Sequence, residues 1–183
     1  MITRFLVLLL LIPLSGCLAV AGTGGVLAAQ DRPVEEGVTD ISAGQAVRNG
    51  LALDREHDFS FVRVRAAEGT VLLVGAVATP EAKKVAEKIA YDRTHSRRIE
   101  NALEISTTAA SRPMDSWLAG QARAALTGDA YVRSINFAIE VYDGVVYLLG
   151  RARTREELGR AAEILARVRG VQRVVVLADV KPY

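Results

Sequence analysis

Reactive chemistry in this 183-residue chain has few groups to draw on: two histidines, His57 and His95, and one cysteine, Cys17. His57 stands among Asp54, Glu56 and Asp58, a composition that could mimic a cation site. There is no Glu-x-x-His or Cys/His spacing, so a solvated acidic loop is the better account of it. No Gly-x-Ser-x-Gly elbow presents a nucleophilic serine. Gly22-Thr23-Gly24-Gly25 has no strand before it and no Lys-Ser or Lys-Thr after it, which excludes a phosphate loop. No catalytic residue, metal site or cofactor is therefore expected. A single cysteine also excludes an intrachain disulfide, leaving the Cys17 sulfur free.

What precedes Cys17 decides its chemistry. Arg4 is followed by an apolar run over residues 5–14 and then Ser15-Gly16-Cys17, the layout of a secretory signal peptide over residues 1–16. Leu14-Ser15-Gly16-Cys17 resembles a bacterial lipobox, which implies cleavage before Cys17 and acylation of its sulfur and new amino terminus. One acyl chain holds a membrane only marginally, whereas two or more, at about 0.8 kcal/mol per buried methylene, hold it durably. By resemblance to the sorting rule of enteric lipoproteins, Leu18 in the next position directs the product to the outer membrane. Two other readings stand beside this one. A spanning helix needs about 20 apolar residues, and Pro13, Gly16, Gly22, Gly24 and Gly25 interrupt the uncharged stretch. Ordinary cleavage near Val26-Leu27-Ala28 would release a soluble protein.

The rest of the chain says the same thing twice. Gly69-Thr70-Val71-Leu72-Leu73-Val74-Gly75 returns 75 positions later as Gly144-Val145-Val146-Tyr147-Leu148-Leu149-Gly150. The same offset pairs Arg48 with Arg123, Leu51 with Leu126, Thr79 with Thr154, Ala86 with Ala161 and Ile89 with Ile164. Residues 17–39 lack a sustained period and read as an acylated cysteine on a flexible tether. In the first unit, 40–107, Ala43, Val47, Gly50 and Leu51 fall at helical spacing, and residues 61–66 alternate as a half-buried strand. Glu68-Gly69 turns into a second strand over 70–76, Thr79-Pro80 opens a helix with stripe Ala82, Val85, Ala86 and Ile89, and 99–105 closes the unit as a strand. The second unit, 114–183, repeats this order: a helix on Leu118, Ala122, Ala125 and Leu126, a hairpin of 135–141 and 145–150 around Asp143-Gly144, a helix from Leu158 to Val168, and a last strand over 171–180. A hinge over 108–113 joins the copies. Each unit is α-β-β-α-β, an α+β fold with a right-handed crossover that sets two helices on one face of a three-stranded mixed sheet.

Charge divides unevenly. Residues 40–107 hold ten acids and ten bases, whereas 108–183 hold eight acids and eleven bases, ten of them arginine. The second unit therefore favours an anionic partner.

Asp143-Gly144, Gly150, Thr154-Arg155-Glu156 and Gly170-Val171-Gln172-Arg173-Val174 resemble the BON domain, and the second unit carries the whole pattern. The first departs at His95-Ser96, where the family has Gly-Val, and rejoins it at Asn101-Ala102-Leu103-Glu104-Ile105. With the lipobox and tether, the layout is similar to dual-BON outer-membrane lipoproteins of Gram-negative bacteria. That resemblance implies a non-enzymatic protein on the periplasmic face of the outer membrane. It would bind anionic phospholipid through its second domain, support envelope integrity and, in some members, gather at division sites. In that family the contact surface includes the first helix of the second domain with a tryptophan near its start, here Trp117, with Leu118, Gln121, Arg123 and Ala124.

Helical geometry reaches Trp117 independently. It lies about 100° around the helix from Leu118, on a side shared with Gln121, Ala124 and Gly128, and its counterpart in the first copy is Ser42. An amphipathic ring there suits the headgroup level of a bilayer, and packing on the other domain or the hinge is the competing role. Arg123 and Arg133 are placed to steer toward anionic headgroups, while Arg151, Arg153, Arg155, Arg160, Arg167, Arg169 and Arg173 read mainly as solvated face. The alternative function is a protein-interaction module acting on an envelope assembly or cell-wall-associated partner. Nucleic-acid binding in the manner of KH folds is disfavoured by the export signal and by the missing Gly-x-x-Gly turn.

Overall fold

The computed structural model describes residues 34–94, 96–108, 110 and 112–181. Helix α1 (Val34–Leu53) leads to strands β1 (Arg63–Ala67) and β2 (Thr70–Val77), helix α2 (Pro80–Arg93) and strand β3 (Arg98–Ile105). The second copy runs α3 (Arg112–Thr127), a 3-10 turn at Ser134–Asn136, β4 (Phe137–Tyr142), β5 (Val145–Ala152), α4 (Arg155–Ala166), β6 (Arg173–Val176) and β7 (Asp179–Val180). In each copy a hairpin is antiparallel and the last strand pairs in parallel with the second. The α+β class and both mixed sheets are as the sequence implies.

Local chemistry explains the shared frame. At both hairpin tips two successive residues take positive φ, Glu68 (54°) and Gly69 (72°), then Asp143 (46°) and Gly144 (72°), the conformation that matches strand twist in two-residue turns. Gly75 and Gly150 also have positive φ, 128° and 116°, and a Cβ at either would lie 2.2 Å from the carbonyl oxygen of Phe61 or Asn136. Only glycine lets the incoming chain cross the strand there. Thr79 and Thr154 cap α2 and α4, accepting from the backbone N–H of Ala82 and Glu157 at 3.1 Å.

Two boundaries differ from the sequence reading. Helix α1 starts at Val34, inside the stretch read as tether, directly after Pro33, a residue well tolerated at helix starts. It is fastened by Asp40, whose carboxylate accepts from the N–H of Glu68 (2.8 Å) and Gly69 (3.0 Å). The last strand begins at Arg173 rather than residue 171 and is interrupted at Leu177 and Ala178. Its register is unbroken, since Leu148 faces Val176 and Arg151 faces Asp179.

Each copy has its own core between helices and sheet, one built on Val47, Val71, Leu73, Ala86 and Leu103, the other on Leu118, Ala122, Val146, Leu148 and Leu165. A third core joins the copies. Ala67, Leu72 and Val74 pack with Tyr142, Tyr147 and Leu149, which are the same three positions of the second copy, together with Leu177. The sheets therefore stack back to back on equivalent faces, as in an isologous dimer, with helices outermost on both sides. Charged pairs rim this core: Arg63 with Asp115 (3.3 Å) and Glu140 (3.2 Å), Arg65 with Glu140 (3.1 Å), and Glu68 with Arg151 (2.9 Å) and Lys181 (3.0 Å). Burial pushes the Glu68 carboxyl up, and the hydrogen bonds from Lys181 and Arg151 outweigh it, so it ends below the usual carboxylate range.

Candidate functional site

Helix α3 has two sides. Leu118, Ala119, Ala122 and Leu126 turn inward, and Asp115, 3% exposed, meets Arg63 of the first domain. The opposite side carries Trp117 (52% exposed) and Met114 (61%) beside exposed Gly120, Gln121, Ala124 and Gly128. A cylinder with 100° per residue places Trp117, Gln121, Ala124 and Gly128 within one arc pointing away from the sheet. The equivalent arc of α1 offers Thr39, Gln45, Ala46 and Asn49 and ends on exposed Leu53, with Ser42 in the place of the tryptophan. The fold does not require an aromatic ring there, and only the second copy has it.

Among the residues expected at this site, Trp117, Gln121 and Ala124 are brought together on the outer arc. Leu118 is not: at 2% exposed it belongs to the core, as its helical position dictates, and its side chain cannot reach a ligand. Arg123 is exposed but donates from Nη2 to the Ile139 carbonyl at 3.1 Å. Arg48 makes the same bond to Val64 at 3.2 Å in the first copy, so this arginine fastens a helix to its edge strand in both domains. Its part in both copies is structural. Arg133, exposed, donates its backbone N–H to Glu157 at 2.8 Å.

The remaining arginines are largely committed within the molecule. Arg151 pairs with Glu68, Arg153 with Glu157 (3.2 Å), Arg167 with Glu163 (3.2 Å), and Arg160 with Asp129 (2.7 Å) while lying 4.8 Å above the Tyr131 ring. Glu157 is buried, which pushes its carboxyl up, but the N–H groups of Arg133 and Arg153 and the Arg153 guanidinium hold it below the usual range. The side chains of Arg155, Arg169 and Arg173 make no hydrogen bond or ion pair among the described residues. Of these, Arg169 matters to α3. A Cβ on the adjoining Gly170 would lie 3.7 Å from Leu118 Cδ1, which sets the turn after α4 beside the first turns of α3. Where the sequence pointed to Arg123 and Arg133, that turn carries Arg169, a cation with no ion-pair partner among the described residues. Its first-copy counterpart is Thr94.

The Asp54 and Asp58 carboxylates of the acidic loop are engaged within the loop itself. Asp54 accepts from the N–H groups of Glu56 (3.0 Å) and His57 (2.8 Å), and its Oδ1 lies 3.1 Å from His57 Nδ1. The His57 ring stacks on Phe59 at 5.7 Å, and Asp58 accepts from Ser60 N–H at 2.9 Å. Hydrogen bonding from the His57 N–H holds the Asp54 carboxyl below its ordinary value. No group of three or more metal-ligating side chains occurs among the described residues. Cys17 and His95 lie outside them, as does the tether up to residue 33.

Two α-β-β-α-β units with matched registers are what a model of the BON domain also recognises, at residues 39–107 and 114–182. The chain belongs to the BON-domain family. The matched segments agree closely with the 40–107 and 114–183 read from the repeat. A relative from Anaplasma centrale, described as an uncharacterized protein in the gshII 5′ region, is 32% identical over 126 residues, covering 67% of this chain and 83% of the relative. The solved structure of CdsD, a structural protein of the type III secretion system of Chlamydia trachomatis, is similar at 15% identity and a TM-score of 0.33, over 79% of this chain and 64% of that one. Its C-terminal domain gives 15% identity and a TM-score of 0.31, over 78% and 67%. No helix among the described residues of this BON protein is long and apolar enough to cross a membrane. BON-domain membership fits an envelope-associated, non-enzymatic binding role.

Proposed function

We propose that this protein is a periplasm-facing outer-membrane lipoprotein whose second BON domain docks on anionic phospholipid through the outer arc of α3. The observation that carries the reading is the half-exposed Trp117 beside Met114 on a helix face the fold does not need for itself. Its ring supplies an apolar body and an N–H for the headgroup boundary. Arg169, on the turn after α4, adds attraction to an anionic leaflet, worth about 1 kcal/mol near such a surface. Acylated Cys17 supplies avidity: it keeps the domain at high local concentration, so a weak and reversible contact is enough. Envelope support follows from such docking, and division-site enrichment would follow wherever anionic lipid gathers.

The test is cosedimentation of a fragment beginning at Gln30 with phosphatidylglycerol and phosphatidylcholine vesicles. Starting there keeps α1 whole. The fragment is expected in the pellet only with phosphatidylglycerol, with Trp117→Ala and Arg169→Glu weakening binding and Arg123→Ala leaving it unchanged. Equal binding to both vesicles, or full binding by Trp117→Ala, overturns the reading.

A further inference from the structure

The two copies have diverged at a second place. On the first domain, the C-terminal half of α2 and the start of β3 enclose a cleft of about 580 Å³ lined by Lys84, Glu87, Lys88, Tyr91, Ser96, Arg97 and Ile99. The equivalent positions of the second domain are Gly159, Ala162, Glu163, Ala166, Val171, Gln172 and Val174, so the shared fold asks for none of these charges nor for the ring. Lys84, Lys88 and Tyr91 follow one another at helical i, i+4 and i+7, which puts them on one strip of α2. Tyr91 is 72% exposed, and neither its side chain nor that of Lys84 has a hydrogen-bond or ion-pair partner among the described residues. Lys88 reaches only Asp92, across one exposed turn. Arg97 forms the far wall, donating to the Glu68 carbonyl and lying 3.7 Å from Asp179. Glu87 is occupied by Asn101, whose Nδ2 donates to it at 2.9 Å.

The geometry points to this cleft as the docking site for an acidic peptide segment of a protein partner. Lys84 has no carboxylate partner, and Lys88 and Arg97 hold Asp92 and Asp179 only across exposed pairs, which are worth little and can be exchanged for the carboxylates of an incoming chain. Two separate ammonium groups along a helix strip suit carboxylates spaced on a chain, and Tyr91 with Ile99 forms a ledge for an apolar side chain between them. Such an exposed ring bordered by charges is the kind of anchor that protein interfaces use. Helix α2 lies in the outer layer of the first domain and α3 in the outer layer of the second, with both sheets between them. A partner in the cleft therefore does not compete with a surface covering α3, and the inference stands whether or not α3 meets lipid.

The experiment presents the full chain to an array of hexapeptides with Asp or Glu at alternate positions and aliphatic or aromatic residues between, at low salt, beside Asn/Gln analogues. Capture of acidic members, loss of the analogues, and at least tenfold weaker capture by Lys84→Glu/Lys88→Glu and by Tyr91→Ala support the proposal. Both variants alter exposed side chains, and unchanged thermal midpoints verify their folding. Capture of no acidic peptide, equal capture by the variants, or displacement of bound peptide by millimolar inorganic phosphate, which would mark a simple phosphate site, overturns it. Cosedimentation with phosphatidylglycerol vesicles serves as the second readout: it stays unchanged in Lys84→Glu/Lys88→Glu, and its loss there would show that the cleft serves lipid.

Discussion

Replacing Glu68 by glutamine tests whether the two BON domains form one cooperative unit. Glu68 sits at positive φ in a hairpin tip, so alanine would confound charge with backbone, whereas glutamine keeps the shape. Its carboxylate bonds Arg151 Nη2 at 2.9 Å and Nε at 3.2 Å, and the Arg151 side chain is only 10% exposed. Lys181 is about one-third exposed, and its share is discounted for solvent screening. Removing the charge leaves Arg151 buried against a neutral amide, a loss of about 2–3 kcal/mol. With a urea dependence of about 2 kcal/mol/M, the unfolding midpoint of the fragment from Gln30 should fall by roughly 1–1.5 M. Arg151→Met should cost less, since Lys181 still answers Glu68, and the double variant Glu68→Gln/Arg151→Met should recover at least about 1.5 kcal/mol of the summed losses. Urea titrations followed by circular dichroism measure all four corners of this cycle. Additivity within about 0.5 kcal/mol, or a midpoint shift below about 0.3 M, would refute the clamp.

Other expectations concern separate parts of the molecule. Trp117→Ala removes a ring with about half of its roughly 200 Å² available to lipid, worth about 2.5 kcal/mol, so partitioning onto phosphatidylglycerol vesicles should drop by up to about seventyfold. Gly150→Ala should destabilise by about 3 kcal/mol or more, because the new methyl meets the Asn136 carbonyl at positive φ, whereas Gly159→Ala on α4 meets nothing and should stabilise by about 0.5–1 kcal/mol; thermal melts compare them. Stability from the Glu68 clamp belongs to a carboxyl lowered by folding. It should be present at neutral pH, begin to fall as pH drops below the ordinary glutamate value of about 4.3, and vanish once pH passes below the folded value, a dependence that Glu68→Gln abolishes in pH-resolved unfolding.

The units themselves were legible because their signals are local. Thr79-Pro80 and Asp143-Gly144 punctuate the chain, and the apolar stripes have the helical period. The stacking of the two sheets was not read, although a trace of it is visible: β2 runs Thr70–Val77 without a solvated position, the mark of a strand covered on both faces. Which surface covers it depends on residues 75 positions away, beyond any local period. The same limit explains the site. Trp117 stood out because its counterpart is serine, but Arg123 and Arg169 exchange roles only when Ile139 and Gly170 are placed in space. The start of α1 was missed because Pro33 and Gly37 look like linker, while its anchor is the Asp40 contact with a hairpin tip 28 residues on.

Trp117 is the chain's single tryptophan, so its emission reports on the proposed contact alone. Depth-dependent quenching by lipids labelled at the headgroup or along the acyl chain, in phosphatidylglycerol and in phosphatidylcholine vesicles, is the most direct measurement. A blue shift with strongest quenching near the headgroup boundary, in the anionic vesicles only, is the predicted result. Emission that is unchanged, or that shifts equally on the zwitterionic surface, would contradict docking of the second BON domain on anionic phospholipid.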